Sequence, residues 1–268
     1  MPEINELSME EQVSEFYFQY QIIKDRNGLL GDIASLLGML QFNIMQLGGV
    51  SENSRGFLLR THQPERVKLL GEILRSLPDI ELTALRKPSL RDIVALRHGR
   101  IIERSDDEMR TYRFVRGELG VLVDFLGEML KKSGKQVIGV RGQPRVGKTE
   151  SIVAASVYAN KKWTFVSSTL LRQTMMRQLP SIDLLSDQYV YLIDGAVSTL
   201  RGDEEHLRVM DEVLRLSVPV VIEHPDIFVK NSRYNWSLFD FIIELRHEQD
   251  DVIEFAAYEQ EAARWHQE

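Results

Sequence analysis

The chain of 268 residues contains no cysteine. That absence excludes disulfides, zinc–thiolate sites, iron–sulfur clusters and cysteine nucleophiles. Long apolar runs are also missing, and none approaches the roughly 18–20 residues that span a bilayer. The opening residues, MPEINELSMEEQ, are acidic and lack both a basic start and an apolar stretch, so no secretory signal is expected. The histidines (His62, His98, His206, His224, His247 and His266) show no metal-ligand spacing. Trp163, Trp236 and Trp265 are scattered and form no base-stacking platform. These absences lead to the expectation of a cytoplasmic protein with no membrane and no nucleic-acid partner.

With 43% hydrophobic residues, the chain can bury a core. Its formal charge of -7 is unevenly spread. Residues 101–200 carry 14 basic and 11 acidic side chains, whereas residues 201–268 carry 7 and 16. An anionic ligand is best received by the mildly basic middle. The basic excess is too small for a nucleic-acid-binding face.

Periodicity divides the chain. Glu15–Ile23 alternates as a strand, and Leu29–Leu40 has helical spacing at Leu29, Ile33, Leu36, Leu37 and Leu40. Strands are expected at Phe42–Val50, Phe57–Thr61 and Ile80–Leu85, with a helix opened by Pro64 and continued over Glu65–Leu77. The order strand, helix, strand, strand, helix, strand within about 75 residues predicts a ferredoxin-like α+β domain over residues 15–87. Residues 88–134 read as a charged linker with short strands and a helix at Glu118–Lys132. From residue 135 to 260, strands alternate with helices: Gln136–Val140, Lys148–Asn160, Trp163–Ser167, Thr169–Leu179, Tyr189–Ile193, Asp203–Leu216 and Val218–Ile222. Ile227–Trp236 reads as a loop, followed by strands at Phe239–Leu245 and Val252–Tyr258. That alternation predicts an α/β domain with a parallel sheet flanked by helices.

The most specific feature is Gly142-Gln143-Pro144-Arg145-Val146-Gly147-Lys148-Thr149, which fits G-x-x-x-x-G-K-[ST] in full. An apolar strand enters it and a helix leaves it. Gly142 and Gly147 allow close backbone approach, and the amides of Arg145, Val146 and the helix start point at phosphate oxygens. Lys148 would reach the terminal phosphates and Thr149 would hold magnesium. A partner carboxylate is expected at the end of a neighbouring apolar strand, and Tyr189–Asp194 supplies Asp194. Glu223, ending Val218–Ile222, and Glu150, beside Thr149, are the candidates for a base near the terminal phosphate.

These residues resemble the P-loop NTPase and kinase superfamily, over roughly residues 135–260. Leu192-Ile193-Asp194-Gly195 is similar to the L-[LI]-D-G of adenylate-kinase-type enzymes. Ser167–Arg172 is similar to the segment that places an arginine on the acceptor phosphate, which makes Arg172 the acceptor-side candidate. The family's Pro-Arg after Asp-Gly is replaced here by Val197-Ser198, and only Pro225–Trp236, with Lys230 and Arg233, is placed to act as a short lid. The resemblance implies ATP and Mg2+ as cofactors. Near the N-terminus, Asp25-Arg26-Asn27-Gly28-Leu29-Leu30 with Phe42-Asn43-Ile44 resembles the ACT domain. That resemblance implies a homodimer and an amino-acid-like effector held by Asp25, Asn27, Gly28 and Leu29. Gly48-Gly49 marks close approach of a ligand or a backbone. The whole-chain combination resembles an uncharacterised family of Bacillus-type bacteria.

Two functions follow. The first is a magnesium-dependent ATPase or kinase-like phosphotransferase regulated by a small metabolite, with Lys148, Asp194, Arg172 and Glu223 at the chemistry. The second is a non-enzymatic switch in which nucleotide and effector set an oligomeric state or a partner surface.

Overall fold

A computed structural model describes residues 13–105, 109–166, 188–200, 202 and 204–251. The chain divides into two compact units, Met1–Ile101 and Ile102–Glu268. Among the described residues, no helix is long and apolar enough to cross a membrane.

In the first unit, β1 (Ser14–Ile22), β2 (Asn43–Ser51), β3 (Ser54–Thr61) and β4 (Ile80–Arg86) form an antiparallel sheet in the order β2-β3-β1-β4. Alternation along β1 sorts its side chains. Phe18 and Tyr20 meet Phe57 beneath α1 (Leu29–Met39) and α2 (Val67–Ser76), which contribute Leu29, Ile33, Leu37, Leu70 and Leu74. Tyr17 points to the other face, where Ala95 and Leu96 of a third helix, α3 (Leu90–His98), cover it.

Helix α3 lies within the segment read above as a charged linker. Its start has a local cause, because Ser89 and Asp92 cap each other's backbone N–H. Asp92 also takes both terminal nitrogens of Arg86, at 2.6 and 2.8 Å. Gly48 is approached by backbone, as its motif allowed. A Cβ there would stand 2.9 Å from the Leu96 carbonyl oxygen, so glycine lets α3 lie against the sheet.

The second unit carries a sheet in the order β5-β6-β11-β7-β10-β9-β8. Its strands are β5 (Glu103–Ser105), β6 (Thr111–Val115), β7 (Gln136–Gly142), β8 (Lys162–Phe165), β9 (Tyr189–Asp194), β10 (Pro219–Glu223) and β11 (Phe241–Arg246). All neighbours are parallel except the β5–β6 pair. The rest of the expected linker therefore belongs to this sheet, as β5, β6 and α4 (Leu119–Leu130). Helices α4 and α5 (Lys148–Tyr158) cover one face, where Phe125 meets Tyr112 and Phe241. The opposite face presents Val137, Tyr191, Val220, Ile222 and Ile242 to α7 (Glu204–Val213) and α8 (Pro225–Asn231).

The expected loop Ile227–Trp236 thus begins as helix, opened by Pro225 and anchored by buried Phe228 against the core. Arg233 pairs with Asp211 at 2.7 Å, which links this segment to α7. The helix expected at Thr169–Leu179 and the strand expected at Val252–Tyr258 lie outside the described residues.

Two outcomes test these contacts. Gly48→Ala should cost about 1–3 kcal/mol of unfolding free energy in urea, because the Leu96 carbonyl must move. Burial pushes the Asp92 carboxyl up, but the hydrogen bonds from Arg86 and Ser89 outweigh it and hold the group below its ordinary 3.8. The stabilisation is therefore full above that value and is lost as pH falls through the lower folded value. Amide exchange in α3 should accelerate over that acid range in wild type, and Asp92→Asn should remove the dependence.

Candidate functional site

The loop from Gly142 to Thr149 joins β7 to α5. Gly142 has φ 154°, and a Cβ on it would lie 2.1 Å from the carbonyl oxygen of Leu245 in neighbouring β11. No side chain fits there. Gly147 (φ 107°) precedes α5 in a left-handed conformation and packs under Leu119. Arg145 also takes positive φ, 59°, while Val146 is fully buried and pins the loop. The Arg116 guanidinium donates to the Arg145 carbonyl from the turn after β6. The loop is thus held against β11 and from the turn after β6.

Lys148 is buried, and its Nζ donates to the carbonyls of Gly142 and Gln143, both at 3.0 Å. The side chain thus curls back onto the carbonyls at the start of the loop. The Thr149 hydroxyl donates to Glu223 Oε1 at 2.7 Å. A hydroxyl has one proton. With that proton on Glu223, the oxygen lone pairs of Thr149 are left for a cation.

Glu223 and Asp194 lie directly opposite each other at the ends of β10 and β9. Glu223 is buried, which pushes its carboxyl up; the Thr149 hydrogen bond and Lys148 oppose this, and the charges of Asp194 and Glu150 add to it. Asp194 Oδ1 accepts from the Val197 amide at 3.0 Å, so it also caps α6 (Gly195–Leu200). Gly195 is obligatory, since a Cβ would lie 2.5 Å from the Glu223 carbonyl oxygen. Among the described residues, no group of three or more His, Asp or Glu side chains could hold a metal on its own. Magnesium needs only one or two protein oxygens beside phosphate and water. Thr149 and Asp194 fit that requirement.

The structure therefore brings Lys148, Thr149, Asp194 and Glu223 together at the carboxyl ends of β7, β9 and β10, with Glu150 exposed on the first turn of α5. Arg172 lies outside the described residues. Sequence reasoning missed His224. It follows Glu223 with φ 54°, and burial, with Lys148 second, lowers its imidazole to about 4. Its signal was its place just past a strand end in a parallel sheet. In the first unit, Asp25 and Asn27 are exposed and Gly28 takes φ 86°. The Leu29 side chain is buried in the core, which leaves only its backbone for any ligand. Arg26 between them pairs with Asp32 and Asp79, both at 2.8 Å.

A family described as a protein of unknown function, DUF3388, matches residues 82–268. The chain belongs to this family. It is 54% identical to the uncharacterized protein YmfK of Bacillus subtilis over 241 residues, covering 90% of this chain and 89% of that one. A phospho-2-dehydro-3-deoxyheptonate aldolase from Thermotoga maritima aligns over 96% of this chain and 97% of its own at 11% identity. Its TM-score is 0.22. The DUF3388 match corrects the assignment to the P-loop NTPase and kinase superfamily and to the ACT domain. Short motifs carried both assignments, whereas the family match spans most of the chain.

The loop geometry gives one direct test. Gly142→Ala should cost about 3 kcal/mol or more, through overlap with the Leu245 carbonyl and strained φ. Thermal unfolding followed by circular dichroism checks it.

Proposed function

We propose that this protein binds ATP with magnesium through the Gly142–Thr149 loop and hydrolyses or transfers the terminal phosphoryl group. On this reading the second unit is an α/β domain built around a phosphate-binding loop. The observation that supports it is Lys148 and Thr149 opening α5, with Asp194 opposite the Glu223 that accepts from Thr149. Helix-terminal amides and Lys148 receive phosphate oxygens. Thr149 and Asp194 would hold the metal, which neutralises charge on the phosphates during transfer. Glu223 orients the Thr149 hydroxyl and is the carboxylate assigned to take a proton from an attacking group.

The first unit, read as a ferredoxin-like regulatory module, offers exposed Asp25 and Asn27 to an amino-acid-like effector. Its edge strand β2 exposes Ile44, Met45 and Leu47, which suits pairing with a second copy.

One observation favours a second reading. Glu223 already accepts from Thr149 and is buried, which suits sensing of the bound nucleotide better than activation of water. On that reading the protein is a nucleotide-responsive switch.

Equilibrium binding of fluorescent ATP with magnesium tests the shared step. Lys148→Ala should weaken binding by about tenfold or more with an unchanged circular dichroism spectrum. Equal affinity of wild type and K148A, or no binding by wild type, refutes the reading. Phosphate release with bound ATP marks the enzyme; a nucleotide-dependent mass in light scattering without release marks the switch.

A further inference from the structure

The arginines clustered on β11 are spent on carboxylates. Arg113, Arg141 and Arg246 converge on Glu244, Arg141 also reaches Asp226, and register sets Glu103 opposite Arg113. Arg116, in the turn after β6, and Arg145, on the crest of the Gly142–Thr149 loop, differ. Both are exposed. The Arg116 guanidinium donates through Nη1 to the Arg145 carbonyl, a neutral acceptor that leaves its charge uncompensated. The Arg145 guanidinium has no hydrogen bond, ion pair or ring contact among the described residues.

The carboxylates nearby do not neutralise them. Glu118 accepts from the Val115 amide at 3.2 Å. Val115 is paired with Arg246, so the chain after β11 leaves the sheet beside the turn that carries Arg116. There Asp251 Oδ2 accepts from the Glu248 amide at 3.0 Å. Neither guanidinium is paired with Glu118, Glu150, Glu248, Asp250 or Asp251. Availability of donors, and not net charge, sets these two arginines apart.

The backbone points the same way. Arg145 holds φ 59°, a left-handed conformation that glycine takes freely and arginine only at a cost. Arg116 and Leu119 seat the turn after β6 on the loop, at Arg145 and at Gly147. One guanidinium thus lies against the main chain of the residue that carries the other. Guanidinium is planar, always charged and weakly hydrated, and suits phosphate oxygens.

We propose that Arg116 and Arg145 form a clasp that binds a phosphate group at the crest of the loop. Both contacts are made by side chains from outside the Lys148 and Thr149 pair, so the clasp goes beyond the nucleotide reading and does not require it. The phosphate is carried either by the nucleotide or by a second phosphorylated molecule.

Calorimetric titration of the full chain with inorganic phosphate tests this in wild type, R145Q, R145K, R116Q and R75Q. The last removes an exposed arginine of α2, in the first unit. Phosphate should bind wild type and R75Q alike, weaken about tenfold in R145Q and R116Q, and bind R145K more tightly than R145Q. Urea unfolding of each variant checks the fold. The proposal is overturned if wild type binds no phosphate, or if R75Q loses as much affinity as R145Q, since the effect is then one of overall charge. It is likewise overturned if R145Q binds as wild type does and only R116Q weakens with a lower urea midpoint, because Arg116 is then a strut for the loop. Repeating the titration with saturating ATP and magnesium separates the two sources: displacement assigns the phosphate to the nucleotide, and undisturbed binding assigns it to a second molecule. If ATP does not bind wild type, the nucleotide reading fails and the phosphate titration still decides the clasp.

Discussion

The parallel register of β10 between β7 and β9 is the constraint on which the site depends. Parallel strands end at one edge, so side chains from distant parts of the chain meet there. Alternation then decides the face. Glu223 stands beside Val140 and Asp194, and all three point toward α5. Slipping β10 by one residue would turn Glu223 to the other face and leave the Thr149 hydroxyl without its acceptor.

Glycine and arginine do complementary work around that edge. Gly142 and Gly195 let backbone pass against the backbone of the adjacent strand, at Leu245 and at Glu223. These approaches set the loop and the start of α6 at fixed heights above the sheet. Arg116 then ties the crest of the loop through the Arg145 carbonyl, and Lys148 ties its base. A loop held from several directions has little entropy left to lose when a ligand arrives.

Much of this was legible in the sequence where the signal is local. The glycines, Lys148 and Thr149 are consecutive enough to read as one unit, and strand ends marked Asp194 and Glu223. Helix α3 was legible too, through Ser89 and Asp92 ahead of an apolar run, but the charge of residues 89–116 masked it. The arginine cluster was not legible. Arg113, Arg141 and Glu244 are separated by up to 131 residues, and only long-range register brings them into one row. Gly48 shows a third case, in which the sequence indicates close approach but not of what. Here the approaching group is the carbonyl of Leu96. The family assignment failed for a different reason, because a short glycine-rich pattern reflects local backbone geometry without fixing ancestry.

The two faces of the strand ends differ in how their charges are matched. Beside α5, Lys148 stands against Asp194, Glu223 and the nearby Glu150. Helix-terminal amides supply only about half a positive charge. On the proposed nucleotide reading, a bare polyphosphate entering there would meet a carboxylate-rich wall, so its binding would need a cation between phosphate and carboxylate. Beyond β7 the charges are matched, and Arg113, Arg141 and Arg246 face Glu244, Asp226 and, across β5, Glu103.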